Sequence, residues 1–154
     1  MTDLHVQGLR KAGPADFAAI AALEAACFGA ADGVFSPRQL RSLLSSPNAY
    51  WLVSLDGQAM ACWLKVSNGR ARWARLYSLA VHPRLRGQGW GKYLIDAGFV
   101  WMRAQGLSVS RAEVKADNLA ARRLYAGCGF QEEGLLRDYY ASGVDGVRLT
   151  RTIF

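Results

Sequence analysis

The segment from Tyr50 to Val81 places the tightest constraint on how this chain can fold. Three runs rich in aromatic and aliphatic residues, YWLVSL, QAMACWLKVS and RARWARLYSLAV, are separated by Asp56-Gly57 and Asn68-Gly69. Asp-Gly and Asn-Gly favour tight hairpins because both residues tolerate the positive φ that such turns require. The segment therefore predicts a three-stranded antiparallel meander. Its last strand runs directly into VHPRLRGQGWGK, in which Gly87, Gly89 and Gly91 alternate with other residues.

The flanks extend this pattern. HVQGLRKA reads as a strand around Val6 to Lys11. Pro14 suits a first helical turn, and Phe17, Ile20 and Leu23 recur at helical spacing until GAADGVF interrupts them. Ser36 is a natural N-cap, and Pro37 a natural first residue, for a second helix. After the glycines, Leu94, Ala97, Gly98 and Trp101 share one face of a helix that stops at Gly106. LSVSRAEVKA is a further strand, and Asn118 caps LAARRLYAGC. FQEEGLLRDYY and VRLTRTIF flank Asp145-Gly146 as a closing hairpin. The order β α α β β β α β α β β predicts one mixed α/β domain over residues 1–154. Its sheet has about six to seven strands, flanked by about four helices, with a strand–helix–strand crossover in the second half.

With 154 residues, 51% of them hydrophobic, the chain can bury a core and is not of the disordered class. The net charge of +7 suits an anionic partner but does not choose among nucleic acid, a membrane surface and a phosphorylated small ligand. It disfavours a strongly basic substrate. Cys27, Cys62 and Cys128 lack metal-site spacing and read as reduced core thiols. The N-terminus has no signal-like apolar core, and no apolar run approaches the roughly 20 residues of a membrane span, so a cytoplasmic location is expected. With two histidines, neither a zinc site nor a Ser-His-Asp set is expected, and His82 before Pro83 reads as structural.

The glycine stretch fits two familiar phosphate loops poorly. Gly91-Lys92 is followed by Tyr93 rather than Ser or Thr, and the spacing is GxGxG rather than GxGxxG. A simpler reading has the glycines curl the chain so that backbone N–H groups converge beside a helix N-terminus, with Arg84, Arg86 and Lys92 adding charge. The competing reading is an ordinary glycine-rich loop in a basic protein.

The stretch LYSLAVHPRLRGQGWGKYLI resembles the acetyl-coenzyme A signature of the GNAT acetyltransferase superfamily, Arg/Gln-x-x-Gly-x-Gly/Ala, through Arg86-Gly87-Gln88-Gly89-Trp90-Gly91. AEVKADNLAARRLYAGCGF is similar to that family's next motif, and the predicted elements match over essentially the whole chain. The Glu-Val-Lys-Ala-Asp-Asn run and Tyr139-Tyr140 resemble bacterial ribosomal-protein alanine (N-terminal) acetyltransferases in particular. The resemblance implies acetyl-CoA as acyl donor, its pyrophosphate held by Arg86 to Lys92. It implies pantetheine contacts from the backbone of Leu79, Ala80 and Val81, on a strand that parts from its neighbour. It implies further coenzyme contacts from Asn118 and Tyr125.

Acetyl transfer needs a neutral amine. An α-amine is roughly one-tenth neutral at pH 7, and a lysine only a few parts in ten thousand. By the same resemblance, Glu113 is the candidate base and Tyr125 the candidate acid that protonates the leaving thiolate. A structural reading stands beside each: Glu113 salt-bridged to Lys115, and Tyr125 packed in the core. WARLYSLAV offers no carboxylate before the glycines, and Tyr77 and Ser78 could line the acceptor pocket or merely pack. The chain departs from the resembled pattern at Arg148 and Leu149, near an expected acid and alanine. The expected acceptor is a protein N-terminal α-amine, with a small-molecule amine such as a polyamine, amino acid or antibiotic as the alternative. GAADGVF is expected to line the acceptor side. A monomer or homodimer is expected, with no membrane partner. A non-enzymatic nucleic-acid-binding domain built on RARWAR, RLR, Trp73 and Trp90 leaves the Glu113–Asn118–Tyr125 spacing unexplained.

Overall fold

A computed structural model describes residues 8–28, 35–68 and 71–153. In chain order it contains β1 (Leu9–Lys11), α1 (Phe17–Cys27), α2 (Pro37–Ser45), β2 (Ala49–Ser54), β3 (Ala59–Asn68) and β4 (Ala71–Val81). These are followed by α3 (Trp90–Ala104), β5 (Val109–Lys115), α4 (Leu119–Gly127), β6 (Gln131–Ala141) and β7 (Val144–Thr152). The element order is the expected one. Val6, Gly69 and most of GAADGVF lie outside the described residues.

The seven strands form one sheet in the order β1-β2-β3-β4-β5-β7-β6. Every neighbouring pair is antiparallel except β4–β5, the parallel pair that the α3 crossover creates. Strand alternation sorts the side chains into two cores. Leu52, Ala61, Trp63, Ala74, Leu76, Ala112, Val114, Val147 and Leu149 join Leu94, Ile95, Phe99 and Met102 of α3 and Tyr125 of α4. Trp51, Val53, Met60, Cys62 and Ala80 join Ile20 and Leu23 of α1 and Leu40 and Leu44 of α2. Arg75, Glu113 and Arg148 alternate with the first set and so belong to the α1/α2 face, where they lie together.

The middle of the sheet is irregular in two linked ways. Cys62 pairs with Ser78 but Trp63 pairs with Leu76, so Tyr77 is an extra residue in β4. Such a bulge bends the strand that carries it. Immediately before it, pairing between β4 and β5 stops: the partners are Trp73–Val109, Ala74–Ser110 and Arg75–Arg111 and no more. The rest of β4, Leu76 to Val81, has β3 on one side and no β5 on the other. The implied parting of strands is therefore present.

Two turns differ from expectation. Asp145-Gly146 is not the closing turn: Ala141 pairs with Val144, and Gly143, at φ 77°, makes the turn. Gly146 lies inside β7 opposite Leu136 and Lys115, where a Cβ would come within 3.1 Å of the Tyr140 ring and 3.2 Å of the Tyr139 ring. Its glycine serves close approach rather than a turn. The Asp56-Gly57 loop is wider than a two-residue hairpin, and Ser54 Oγ closes it by accepting from the N–H groups of Gln58 and Ala59, each at 3.0 Å.

Gly98 in the middle of α3 has a similar cause. A Cβ there would sit 2.1 Å from the fully buried Trp63 ring. Gly98→Ala should raise intrinsic helix propensity by about 1 kcal/mol yet destabilise the protein by roughly 1–3 kcal/mol through overpacking. Thermal melting should show the midpoint falling by about 2–4 °C per kcal/mol. A midpoint at or above that of the parent would mean that Trp63 is not fixed against α3.

Candidate active site

The β4–α3 connection is built to leave backbone N–H groups open. His82 starts a short turn, its Nδ1 accepting from the Arg84 N–H at 3.2 Å, the structural role expected of it. Gly87 and Gly89 then take φ of 78° and 86°, which side chains resist. Gly91 has a different cause: a Cβ there would meet Leu124 at 2.9 Å, so it lets α3 and α4 close together. α2 is capped by Ser36 and α4 by Asn118, which accept from Gln39 N–H and Ala121 N–H respectively, each at 3.1 Å. At α3 the capping position is Gly89, with no side chain to accept. The first backbone bond of that helix runs from Tyr93 N–H to Gly89 C=O, at 3.0 Å. The N–H groups of Trp90, Gly91 and Lys92 precede it, at the positive end of a four-turn helix.

The basic residues of this loop are more engaged than the sequence implied. Lys92 Nζ lies 3.2 Å from Asp96, one turn along. Arg86 folds back, its Nε donating to Val81 C=O at 3.3 Å. The same carbonyl accepts from Cys27 Sγ at 3.3 Å. Cys27 is thus half-buried beside the slot and not deep in the core like Cys62. The Trp90 side chain packs against the core and meets Tyr93 in an edge-to-face contact.

The slot itself is the gap where β4 leaves β5. Leu79 and Val81 turn their side chains toward the α3/α4 core, and Ala80 toward the α1/α2 core, which aims their backbone edge into the gap. From the α3/α4 side, α4 brings in Tyr125. It is only 7% exposed and packs edge-on against Phe130. Burial, reinforced by Tyr140, Cys128 and Glu113, holds its phenol proton well above the usual tyrosine range. Tyr125 is therefore a protonated hydroxyl at neutral pH. Asn118 stands at the mouth of the same helix.

Glu113 lies on the other face of the gap. Its side chain is 7% exposed and sits between two arginines: Arg75 Nε is 2.9 Å from Oε2, and Arg148 Nη2 is 3.7 Å from Oε1. The 2.9 Å approach is an ion contact without hydrogen-bond alignment, leaving Arg75 Nε and Glu113 Oε2 undirected. Glu113 is thus ion-paired with Arg75 of β4 and Arg148 of β7, and Lys115 Nζ lies 6.0 Å from the Tyr140 ring centre. Arg75 also stacks on Tyr77 at 4.6 Å, and Tyr77 on Phe35 at 5.5 Å. Burial, with Tyr139 and Glu113 nearby, pushes the Tyr140 hydroxyl up to about 12. Asp138, at φ 51°, and Asp145 tie the end of the β6–β7 hairpin through backbone N–H groups at 2.7 and 2.9 Å.

A buried, protonated tyrosine hydroxyl and a buried carboxylate thus lie on opposite faces of a sheet that splits between β4 and β5, and the helix that follows β4 starts without a side-chain cap. The model of the Acetyltransferase (GNAT) family matches residues 17–130. The chain belongs to this GNAT family. A Mycobacterium tuberculosis protein, N-alpha-acetyltransferase RimI, is 31% identical over 89% of this chain and 87% of its own length. Mycothiol acetyltransferase from Kineococcus radiotolerans is 39% identical over 84% of this chain, which spans only 43% of that relative. The crystal structure of the ribosomal-protein-S18-alanine N-acetyltransferase from Escherichia coli superimposes with a TM-score of 0.81 over 94% of this chain and 92% of that one. At 23% identity this last likeness is one of fold.

Within this GNAT fold Leu79, Val81 and Tyr125 share the α3/α4 core, Arg86 to Lys92 run from the β4–α3 connection into α3, Asn118 caps α4, and Glu113 lies on the opposite face with Arg75 and Arg148. A cavity of about 580 Å³ lies elsewhere, between the end of α4 and β7, and shares only Lys92 with them. Sequence reasoning missed Arg75 as a partner of Glu113, since strand register decides it. It also missed Glu24. This carboxylate is 2% exposed on α1, and its Oε1 has no hydrogen-bond partner among the described residues. Burial pushes its pKa up to about 7, against a backbone bond from Phe35 that lowers it. A lone Glu in LEAACF, three residues before Cys27, was the available signal.

Glu24 makes a pH prediction. Its folded pKa exceeds the ordinary value of 4.5, so the unfolded chain loses this proton first as pH rises. The stabilisation from this group is complete below about pH 4.5 and is lost as pH climbs to about 7. Glu24→Gln should remove that slope, worth on the order of 2 kcal/mol, in urea unfolding followed from pH 4.5 to 7.5. An unchanged slope would show that Glu24 is solvated in the folded state.

Proposed function

We propose that the protein is an acetyl-CoA-dependent N-acetyltransferase. In this reading it passes acetyl directly to an amine in a ternary complex, and its acceptor is a protein N-terminal α-amine. The observation that carries this is the split between β4 and β5, with Tyr125 on one side and Glu113 on the other. Family membership and the RimI relative, similar over nearly the full length of both chains, support it.

The residues present fit the coenzyme. The uncapped start of α3, with Gly87 and Gly89 curling the loop onto it, suits a pyrophosphate. Arg86 and Lys92 add charge there, and the free edge of Leu79 to Val81 suits an extended amide-bearing arm. Acetyl-CoA supplies the acetyl group as a thioester. Glu113 takes the proton that the attacking amine must lose, and Tyr125 gives one to the sulfur as it leaves. An α-amine makes a small demand on Glu113, since about one-tenth of it is already neutral at pH 7. The mycothiol acetyltransferase relative favours a second reading, a small-molecule amine in place of a peptide.

Acetyl-CoA at about 100 times its dissociation constant should add roughly 2.7 kcal/mol and raise the melting midpoint by several degrees. The rise should survive moderate salt, whereas a DNA-induced rise that salt abolishes would favour nucleic-acid binding. Tyr125→Phe should lower turnover at saturating acceptor by about 10²-fold or more, and unchanged turnover removes it as the acid. Glu113→Gln should lower the rate most at low pH, where the amine is protonated. A pH profile identical to the parent's would sink the base assignment.

A further inference from the structure

We propose that the acceptor amine carries a carboxylate within a few bonds of it, and that Arg148, with Arg75, recognises that group. This rests on the acetyltransferase reading, with the amine arriving at Glu113.

Strands β4, β5 and β7 present Arg75, Arg111 and Arg148 on the α1/α2 face beside Glu113, while Glu24, a second carboxylate on that side, is buried on α1. Arg111 stacks on Trp73 at 4.4 Å and points its charge along β4. Arg75 and Arg148 converge on Glu113, so two guanidinium groups share one carboxylate. The pair is not closed. Arg148 is 42% exposed and Arg75 32% exposed, while Glu113 beneath them is 7% exposed. At 3.7 Å, Arg148 is in charge contact rather than in a bidentate bond, so its planar donor fork is not consumed by Glu113. Asp138 and Asp145, the acids at the nearby hairpin end, accept from backbone N–H groups.

An amine placed to give its proton to Glu113 therefore lies beside a surplus positive charge. An acceptor that is cationic beyond its amine is repelled there, and one with an adjacent carboxylate forms a charge-assisted pair with Arg148. Two kinds of acceptor have this chemistry: a peptide with an acidic side chain at its first or second position, and a free amino acid with its own α-carboxylate. The net charge of +7 acts in the same direction at longer range.

The test is calorimetric binding of acceptors to the protein saturated with CoA, a complex that cannot turn over. Matched hexapeptides beginning Ala-Asp, Ala-Ala and Ala-Lys form one arm. Free aspartate and its dimethyl ester form the other. The expected result is acidic over neutral over basic, with Ala-Asp at least about tenfold tighter than Ala-Ala, the discrimination of one charge-assisted pair. Arg148→Ala should bring that ratio near one, and Arg148→Glu should invert it toward Ala-Lys. Tight aspartate with indifferent peptides identifies the free amino acid as the source; the reverse identifies the peptide. Equal affinities in both arms at once, so that neither Ala-Asp over Ala-Ala nor aspartate over its dimethyl ester is preferred, a preference for Ala-Lys, a preference untouched by Arg148→Glu, or no acceptor binding at all each overturn the proposal. The acetyltransferase reading fails separately, when acetyl-CoA produces no rise in melting temperature.

Discussion

The parting of β4 from β5 is the constraint on which the rest of the site depends. A parallel pair inside a mixed sheet normally hides its backbone in hydrogen bonds, and unpaired groups within a sheet are costly. Here pairing ends at Arg75 and Arg111, and the extra residue Tyr77 bends β4 away just beyond. At the end of this edge, Val81 C=O accepts from Arg86 Nε and Cys27 Sγ in place of a strand partner on the β5 side. One local insertion thus converts a continuous sheet into two lobes with a slot between them. The two cores on either face remain continuous with the strands they cover.

The slot also divides the chemistry. Tyr125 comes from α4 on one side, buried and protonated, while Glu113 belongs to the opposite face, between Arg75 and Arg148. Neither could reach a common centre through an intact sheet. The capping pattern supports the same division: α2 and α4 close their N-termini with Ser36 and Asn118, and α3 starts on a bare Gly89 with its dipole facing the loop. A helix that gives up a cap worth about 1 kcal/mol retains donors for an anion instead. The arginines at Glu113 give the α1/α2 face of the split its own charge, distinct from that of the β4–α3 loop.

The element order, the helix caps and the three-glycine loop were legible in the chain because each rests on local chemistry: Ser36-Pro37, Asn118 and Gly106 act within a few residues of themselves. Gly91, Gly98 and Gly146 were not legible in that way. Each is glycine because a distant side chain presses on it, Leu124, Trp63 or the Tyr139–Tyr140 pair. Reading Asp145-Gly146 as a turn failed for this reason, while Gly143 makes the actual turn. The partners of Glu113 were equally hidden, since Arg148 faces it through the β5–β7 register and Arg75 through the β4–β5 pairing.

The sequence by itself determined the elements, their order and the family, because hydrophobic period, turn chemistry and the two motifs are local patterns. Only the tertiary structure decided that β4 separates from β5, that Tyr125 and Glu113 stand on opposite sides of the opening, and that Glu113 is held by two arginines. Those facts depend on strand register and on a one-residue bulge. A shift of one residue moves every side chain of a strand to the other face, and no local pattern in the chain records which register wins.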